Sequence, residues 1–333
     1  VLLNGFSFYI LLSSGLAKNG SGIYLLILAV CDSGNLLFNY AVGVARGQSN
    51  EINNWFKGDE WLCRFHGVFV DIFQLYSAWI VVGFTVERCL VVWYPLALRQ
   101  SKQYRSRIVV TSLGIVFTLF ALSKLFLTGF EKDSVFGYTA CCSKRLKWDG
   151  MAYVGVAFQT WIPTCLVFTF NCIMFYKLRL IKLQRYRLTS QHSRKHTSGE
   201  NKQSFFTRPS STTPMLITVS LAYLILVFPL GIVQTIELHW NVRHYLRPID
   251  KTRYVDWMMT KLLLKFIRSF CFCLYQLNFS VNFFLYFASG SQFRLHLLHK
   301  LRVWTNCCSS RSVQHHSGKS MILQSQAQSS SAL

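Results

Sequence analysis

Residues 62–95 read LCRFHGVFVDIFQLYSAWIVVGFTVERCLVVWYP. No residue between Asp71 and Glu87 is charged, and 62–92 as a whole is apolar enough to cross a bilayer as a helix, which takes roughly 20 mostly apolar residues. Working outward, similar stretches occupy 23–44, 108–128, 151–178, 215–238 and 262–287. Residues 1–13 are apolar too, but too short to cross alone, and read as the inner half of a helix. Lipid offers no hydrogen bonds to a bare backbone, so segments like these satisfy themselves as helices. The expected fold is therefore all-α: an integral membrane bundle of seven helices. Pro163 and Pro229 fall inside spans and are expected to kink them. Charged residues make up only 14% of the chain against about 25% in soluble domains, and they gather between the apolar stretches. A soluble α/β domain would show shorter apolar runs broken by turn signals.

The net charge of +22 would point to nucleic acid in a soluble protein. Here the excess lies in connections of one parity. Segment 177–208 holds Lys177, Arg179, Lys182, Arg185, Arg187, Arg194, Lys195, Lys202 and Arg208 against Glu200 alone. The connection after the third span holds Arg99, Lys102, Arg105 and Arg107 with no acid. Cytoplasmic loops carry such an excess, so these ends are called inner below, and the tail is expected in the cytoplasm. Asn19-Gly20-Ser21 fits a glycosylation pattern but then lies on the inner side.

After the seventh span, Phe293, Leu295, Leu297, Leu298 and Leu301 recur at helical spacing among Arg294, Lys300 and Arg302. This pattern predicts an amphipathic eighth helix over 291–303, lying on the inner membrane face. Cys307 and Cys308 follow it, where palmitoylation would add a second anchor and two inert cysteines are the alternative. The expected organisation is one membrane domain over 1–303 and a Ser- and Gln-rich disordered tail over 304–333. Eleven cysteines show none of the spacings of zinc sites.

Particular residues give the bundle an identity. Cys63 lies twenty-five residues before Arg88, and Pro95 lies seven after it. Asp32, in Leu28-Ala29-Val30-Cys31-Asp32, is a carboxylate in mid-span, which must face the bundle because facing lipid costs about 2.5–3.5 kcal/mol. Asn4 lies twenty-eight residues before Asp32, Ser77 lies three turns before Arg88, and Asn278 and Asn282 are one turn apart. Glu87-Arg88-Cys89 resembles the Asp-Arg-Tyr motif, and Asn282-Phe283-Phe284-Leu285-Tyr286 the Asn-Pro-x-x-Tyr motif, of rhodopsin-like (class A) G-protein-coupled receptors. The resemblance runs from Asn4 to about Cys308.

That resemblance implies several roles. Asp32, Ser77, Asn278 and Asn282 would form an inner sodium site, with Asn4 in the same network; a plain hydrogen-bonded polar cluster is the alternative. Cys63 would pair with Cys141 or Cys142 in the second outer loop. Glu87, Arg88, Asn282 and Tyr286 would switch and couple to a heterotrimeric G protein, with arrestin as a further partner. Short phrases such as Leu277-Asn278-Phe279-Ser280 are similar to invertebrate neuropeptide receptors, including those for FMRFamide-type peptides.

Departures from the family are also legible. Val227 stands in place of the sixth-span Trp, Asn171 in place of the fifth-span Tyr, and Phe283 in place of the seventh-span Pro, whose kink should be absent. The fourth span has no Trp. Val70 takes the aminergic Asp position, with Asp71 turned aside by about 100°. No Lys lies in the mid-to-inner seventh span, so a retinal Schiff base is not expected; Lys261 and Lys265 sit at its outer end. The outer halves offer Asp71, Gln74, Gln159, Gln234, Glu237 and Arg268, a cup suited to a peptide with a basic residue or an amidated end. Ser331-Ala332-Leu333 fits a PDZ ligand by strand addition. No internal repeat supports a transporter and no catalytic motif supports an enzyme. A receptor fold that no longer couples, a decoy, is the remaining alternative.

Overall fold

The computed structural model describes residues 1–15, 20–94, 102–132, 139–144, 149–193, 213–244 and 248–303. Span one is α1 (Leu2–Ser13), short but apolar. Span two runs from α2 (Gly20–Asn35) through a π-helical segment, Leu36–Ala41, into α3 (Val42–Gln48). A short outer helix α4 (Asn50–Gly58) leads to span three, α5 (Glu60–Trp93), and then to span four, α6 (Lys102–Leu127). Span five is α7 (Asp149–Val156), a second π-helical segment Ala157–Trp161, and α8 (Ile162–Ser193). Span six is α9 (Thr213–Arg243); span seven is α10 (Lys251–Ser280) and α11 (Asn282–Ser289). Residues 291–303 are helical and are α12.

Among the described residues, five helices are long and apolar enough to cross a membrane, and α10 with α11 makes a sixth span bent by 51°. With α1 this is a seven-helix bundle. The all-α expectation holds for the membrane part. The fourth-to-fifth connection adds an antiparallel hairpin, β1 (Thr128–Lys132) with β2 (Thr139–Lys144), irregular in register between Gly129 and Glu131. Its strands are short and show no apolar alternation, so nothing in the sequence announced them.

Span three is the central strut, packing against spans two, four, five and six. Asp59 starts it, accepting from the N–H groups of Trp61 (2.8 Å) and Leu62 (3.2 Å) as an N-cap. Along its length it reaches sideways to four backbone carbonyls on other spans. Arg64, also paired with Glu60, donates to Leu125 O (2.7 Å), and Tyr76 donates to Val110 O (2.7 Å).

The other two bonds answer the π-helical segments. In span five the Ile162 N–H bonds Ala157 O, and Pro163 has no N–H to offer. Phe158 O therefore has no backbone donor, and Trp79 Nε1 donates to it at 3.0 Å. In span two the Val42 N–H is drawn to Leu37 O and Asn39 O, and His66 Nε2 lies 2.8 Å from Phe38 O, the carbonyl that Val42 would otherwise serve. A carbonyl only accepts, so Nε2 carries the proton. Freed carbonyls are tolerated inside a bundle where a neighbouring span supplies a donor. Thus Pro163 gives a π-helical segment, where a simple kink was expected.

Span seven corrects a second expectation. Phe283 replaces the motif proline, yet the span bends at Val281. The α10 ladder closes with Val281 N–H on Leu277 O, and a new helix starts from Val281 O, which accepts from Phe284 (2.9 Å) and Leu285 (3.1 Å). The break is held by what packs on it. Asn282 is tied to Asp32, and Phe283 packs against Phe6 and Phe293 at ring distances of 6.0 and 5.9 Å. Tertiary contacts do here what proline does elsewhere. Beyond the bend, Gly290 turns the chain into α12, where a Cβ would meet Tyr286 O at 2.6 Å. Arg294 then donates to Ala288 O (2.6 Å) and Phe287 O (3.0 Å), satisfying the open end of α11. Phe293 and Leu297 are buried against the bundle, while Leu295, Leu298 and Leu301 stay exposed.

Candidate functional site

Asp32 is fully buried at the centre of the bundle. Ser77 on span three donates to its Oδ1 at 2.7 Å, and Asn282 on span seven donates to its Oδ2 at 2.5 Å. One carboxylate thus ties three spans together. Asn4 donates to Phe279 O at 2.7 Å, fastening span one to span seven beside this centre. Asn278 is buried one turn from Asn282, and the carboxylate's two hydrogen bonds come from Ser77 and Asn282.

The Asp32 carboxylate has room for a hard cation. A carboxylate has about four lone-pair sites and two are used here. Asn4 Oδ1, Ser7 Oγ and Asn35 Oδ1 are buried on spans one and two with no hydrogen-bond partner among the described residues. Oxygen ligands suit sodium rather than a transition metal, and the Asp32 carboxylate with the Ser77 hydroxyl and the Asn282 amide beside it is a set of that kind.

At the inner end of span three the two motif residues differ in what they bond. Glu87 accepts from Ser106 on span four at 2.9 Å, with the Tyr24 ring of span two lining the same cavity of about 260 Å³. Arg88 is buried, and its Nε has no hydrogen-bond partner among the described residues. Tyr286 is fully buried, its hydroxyl likewise without a partner among them. Asn171 accepts from Ser220 at 3.0 Å, joining spans five and six in place of the expected tyrosine. Val227 is part of the apolar core.

On the outer side, Gln74 is buried, Asp71, Gln159 and Gln234 are half-buried, and two of the candidates meet. Arg268 Nη1 donates to both carboxylate oxygens of Glu237, at 3.0 and 3.2 Å. Above them Trp240, Trp257 and His244 pack together, and the Lys261 ammonium lies 4.5 Å from the Trp257 ring centre. Cys63 is disulfide-bonded, and Cys31, Cys89, Cys165, Cys172, Cys271 and Cys273 are free. The hairpin strand β2, which carries Cys141 and Cys142, packs on span three; the side chains of both, Pro95, Cys307, Cys308 and Ser331-Ala332-Leu333 lie outside the described residues.

Sequence reasoning missed His66, Trp79, Tyr76, Arg64 and Ser106. Their one signal was a side-chain donor within or beside an apolar span, which says that a partner exists without saying where.

Seven spans, a polar centre joining spans two, three and seven, and a buried arginine at the inner end of span three define a seven-helix membrane receptor. The family model described as 7 transmembrane receptor (rhodopsin family) matches residues 4–286. The chain belongs to the rhodopsin family of seven-transmembrane receptors: a multi-pass membrane receptor rather than an enzyme. Among curated proteins, none matches it.

Proposed function

We propose that this receptor sits in the plasma membrane, binds an extracellular peptide in its outer cup and passes the signal to a heterotrimeric G protein. One observation carries the coupling half of this reading. Arg88 is a buried guanidinium whose Nε lacks a hydrogen-bond partner among the described residues, and leaving a buried donor unsatisfied is costly. A charge held in that way favours a second conformation in which a partner arrives, and a ligand that prefers that state shifts the population towards it. The buried Tyr286 hydroxyl supports the same two-state reading. Sodium at Asp32 would hold the bundle in one of the two states. Cys307 and Cys308 would be acylated, arrestin would share the inner cleft, and the C-terminal Ser-Ala-Leu would take a PDZ domain. The decoy reading rests on Val227, Asn171 and Phe283. The bend at Val281 and the Asn171–Ser220 bond weaken it, because both devices persist with other residues.

The test is a calcium and cAMP screen in cells with an amidated-neuropeptide library, running Asp71→Ala and Arg88→Ala beside the parent. A saturable response, lost in Arg88→Ala at equal surface expression and right-shifted in Asp71→Ala, is the expected result. Silence of the surface-expressed parent across the library would favour the decoy or a ligand of another class.

The disulfide of Cys63 is assigned to the β2 strand. Cys63→Ser is expected to cost about 2–5 kcal/mol, and the same loss should follow from only one of Cys141→Ser and Cys142→Ser. Thermal melting of the three variants, with mass spectrometry of the non-reduced protein, identifies the pair; equal stability of all three would refute the assignment.

A further inference from the structure

The outer cup was expected to suit a peptide with a basic residue or an amidated end. The geometry points to the opposite: we propose that Arg268 receives an acidic group of the ligand, held in place for that task by Glu237. This rests on the reading of the outer cup as the ligand pocket.

The bundle-facing stripe of α10 is marked by its buried residues, Trp257, Cys271, Tyr275 and Asn278. Steps of three and four outward from Cys271 fall on Arg268, Leu264, Lys261 and Trp257. Arg268 and Lys261 therefore continue the inward face to the mouth of the bundle. Glu237 lies behind, its side chain 11% exposed, while that of Arg268 is 53% exposed. A ligand arriving from outside meets the guanidinium first.

The bonding pattern leaves that guanidinium available. It has five N–H donors in a planar fork, and Nη1 alone serves both oxygens of Glu237. Nε and Nη2 make no bond among the described residues, and a fork of this kind pairs two-point with a carboxylate. A basic ligand group would instead have to reach past the more exposed Arg268 to Glu237. Lys261, one heptad outward over Trp257, and Lys265 add positive charge to the same end of α10. The acids at that end are Asp250 and Asp256, both exposed, and Asp71 stands on span three with a partner of its own. Against Glu237, Asp250 and Asp256, the five basic residues Lys251, Arg253, Lys261, Lys265 and Arg268 leave this edge cationic. The ligand chemistry is a carboxylate, from an Asp or Glu side chain or from a free C-terminus.

The experiment is affinity selection with mass-spectrometric readout, using the full chain in nanodiscs and a random heptapeptide library in two forms, C-terminally amidated and free acid. The parent is expected to enrich Asp- and Glu-containing peptides about tenfold in the amidated pool if a side chain is read, or free-acid over amidated peptides if the terminus is read. Arg268→Lys, which keeps the charge and loses the planar fork, should keep the preference in weakened form. The double variant Arg268→Gln with Glu237→Gln, which keeps a neutral hydrogen-bonding pair and leaves no buried charge alone, should abolish it while still retaining peptides. Enrichment of Lys or Arg peptides, peptides retained without charge preference, or an acid preference that survives in the double variant would overturn the anion site and leave the peptide pocket standing. No retention above empty nanodiscs would remove the peptide pocket, and the anion site with it.

Discussion

Asp32→Ala is expected to lower the melting temperature of the purified receptor by on the order of 10 °C. The residue is fully buried, and its oxygens accept from Ser77 and Asn282. Truncation leaves a hydroxyl and an amide N–H with no acceptor, each costing about 1–3 kcal/mol, and it unties span two from spans three and seven together. Asp32→Asn should be much milder. The Asn keeps one acceptor oxygen for Asn282, and the Ser77 hydroxyl can turn to accept from the new amide. The same pair of variants tests the cation. If sodium binds at Asp32, sodium chloride should raise the parent's melting temperature above that in choline chloride, with no difference in either variant. A parent indifferent to the choice of cation would leave the cluster as a structural tie alone; an Asp32→Ala that melts with the parent would contradict the tie itself.

Gly34→Ala carries the second large effect. A Cβ there would lie 2.5 Å from the Phe73 ring, and that ring is not free to withdraw. It stacks on Phe38 at 5.6 Å with an interplanar angle of 10°, and Phe38 stacks in turn on Phe69 at 5.4 Å. At Gly34 spans two and three thus approach closely, one face of the helix lying against an aromatic ring. The added methyl should cost about 1–3 kcal/mol by overpacking. Gly43→Ala, on the same span with nothing within 4 Å of its Cβ, should be neutral or slightly stabilising through helix propensity. Phe73→Leu in the Gly34→Ala background should recover part of the loss, because residues in contact are coupled. Thermal melts of the parent, Gly34→Ala, Gly43→Ala, Phe73→Leu and the double variant decide it. Equal stability of Gly34→Ala and Gly43→Ala, or strict additivity with Phe73→Leu, would refute the close approach.

Both predictions concern the seams of span three, and there the sequence was only partly legible. Asp32, Ser77 and Asn282 stood out because polar residues in a long apolar run must face the bundle, and their meeting followed from the family resemblance. The partner of Glu87 could not be read in the same way. The motif places it beside Arg88, and the structure adds a hydrogen bond from Ser106 on another span. Glu237 and Arg268 were each legible as polar groups of the outer cup, and their union was not.

The sequence by itself determined the number of spans and the polar residues in each. Those follow from costs that each segment meets alone: apolar length, backbone satisfaction in lipid, and burial of a charge. Only the tertiary structure decided the partners. His66 on Phe38 O and Trp79 on Phe158 O depend on π-helical segments in other spans, tens of residues away. The bend at Val281 arises without proline, from Asn282 held by Asp32 and from Phe283 packed between Phe6 and Phe293. Such pairings turn on the relative height and rotation of helices, to within one residue step of about 1.5 Å and 100°. No single segment carries that information; it emerges only when all of them pack.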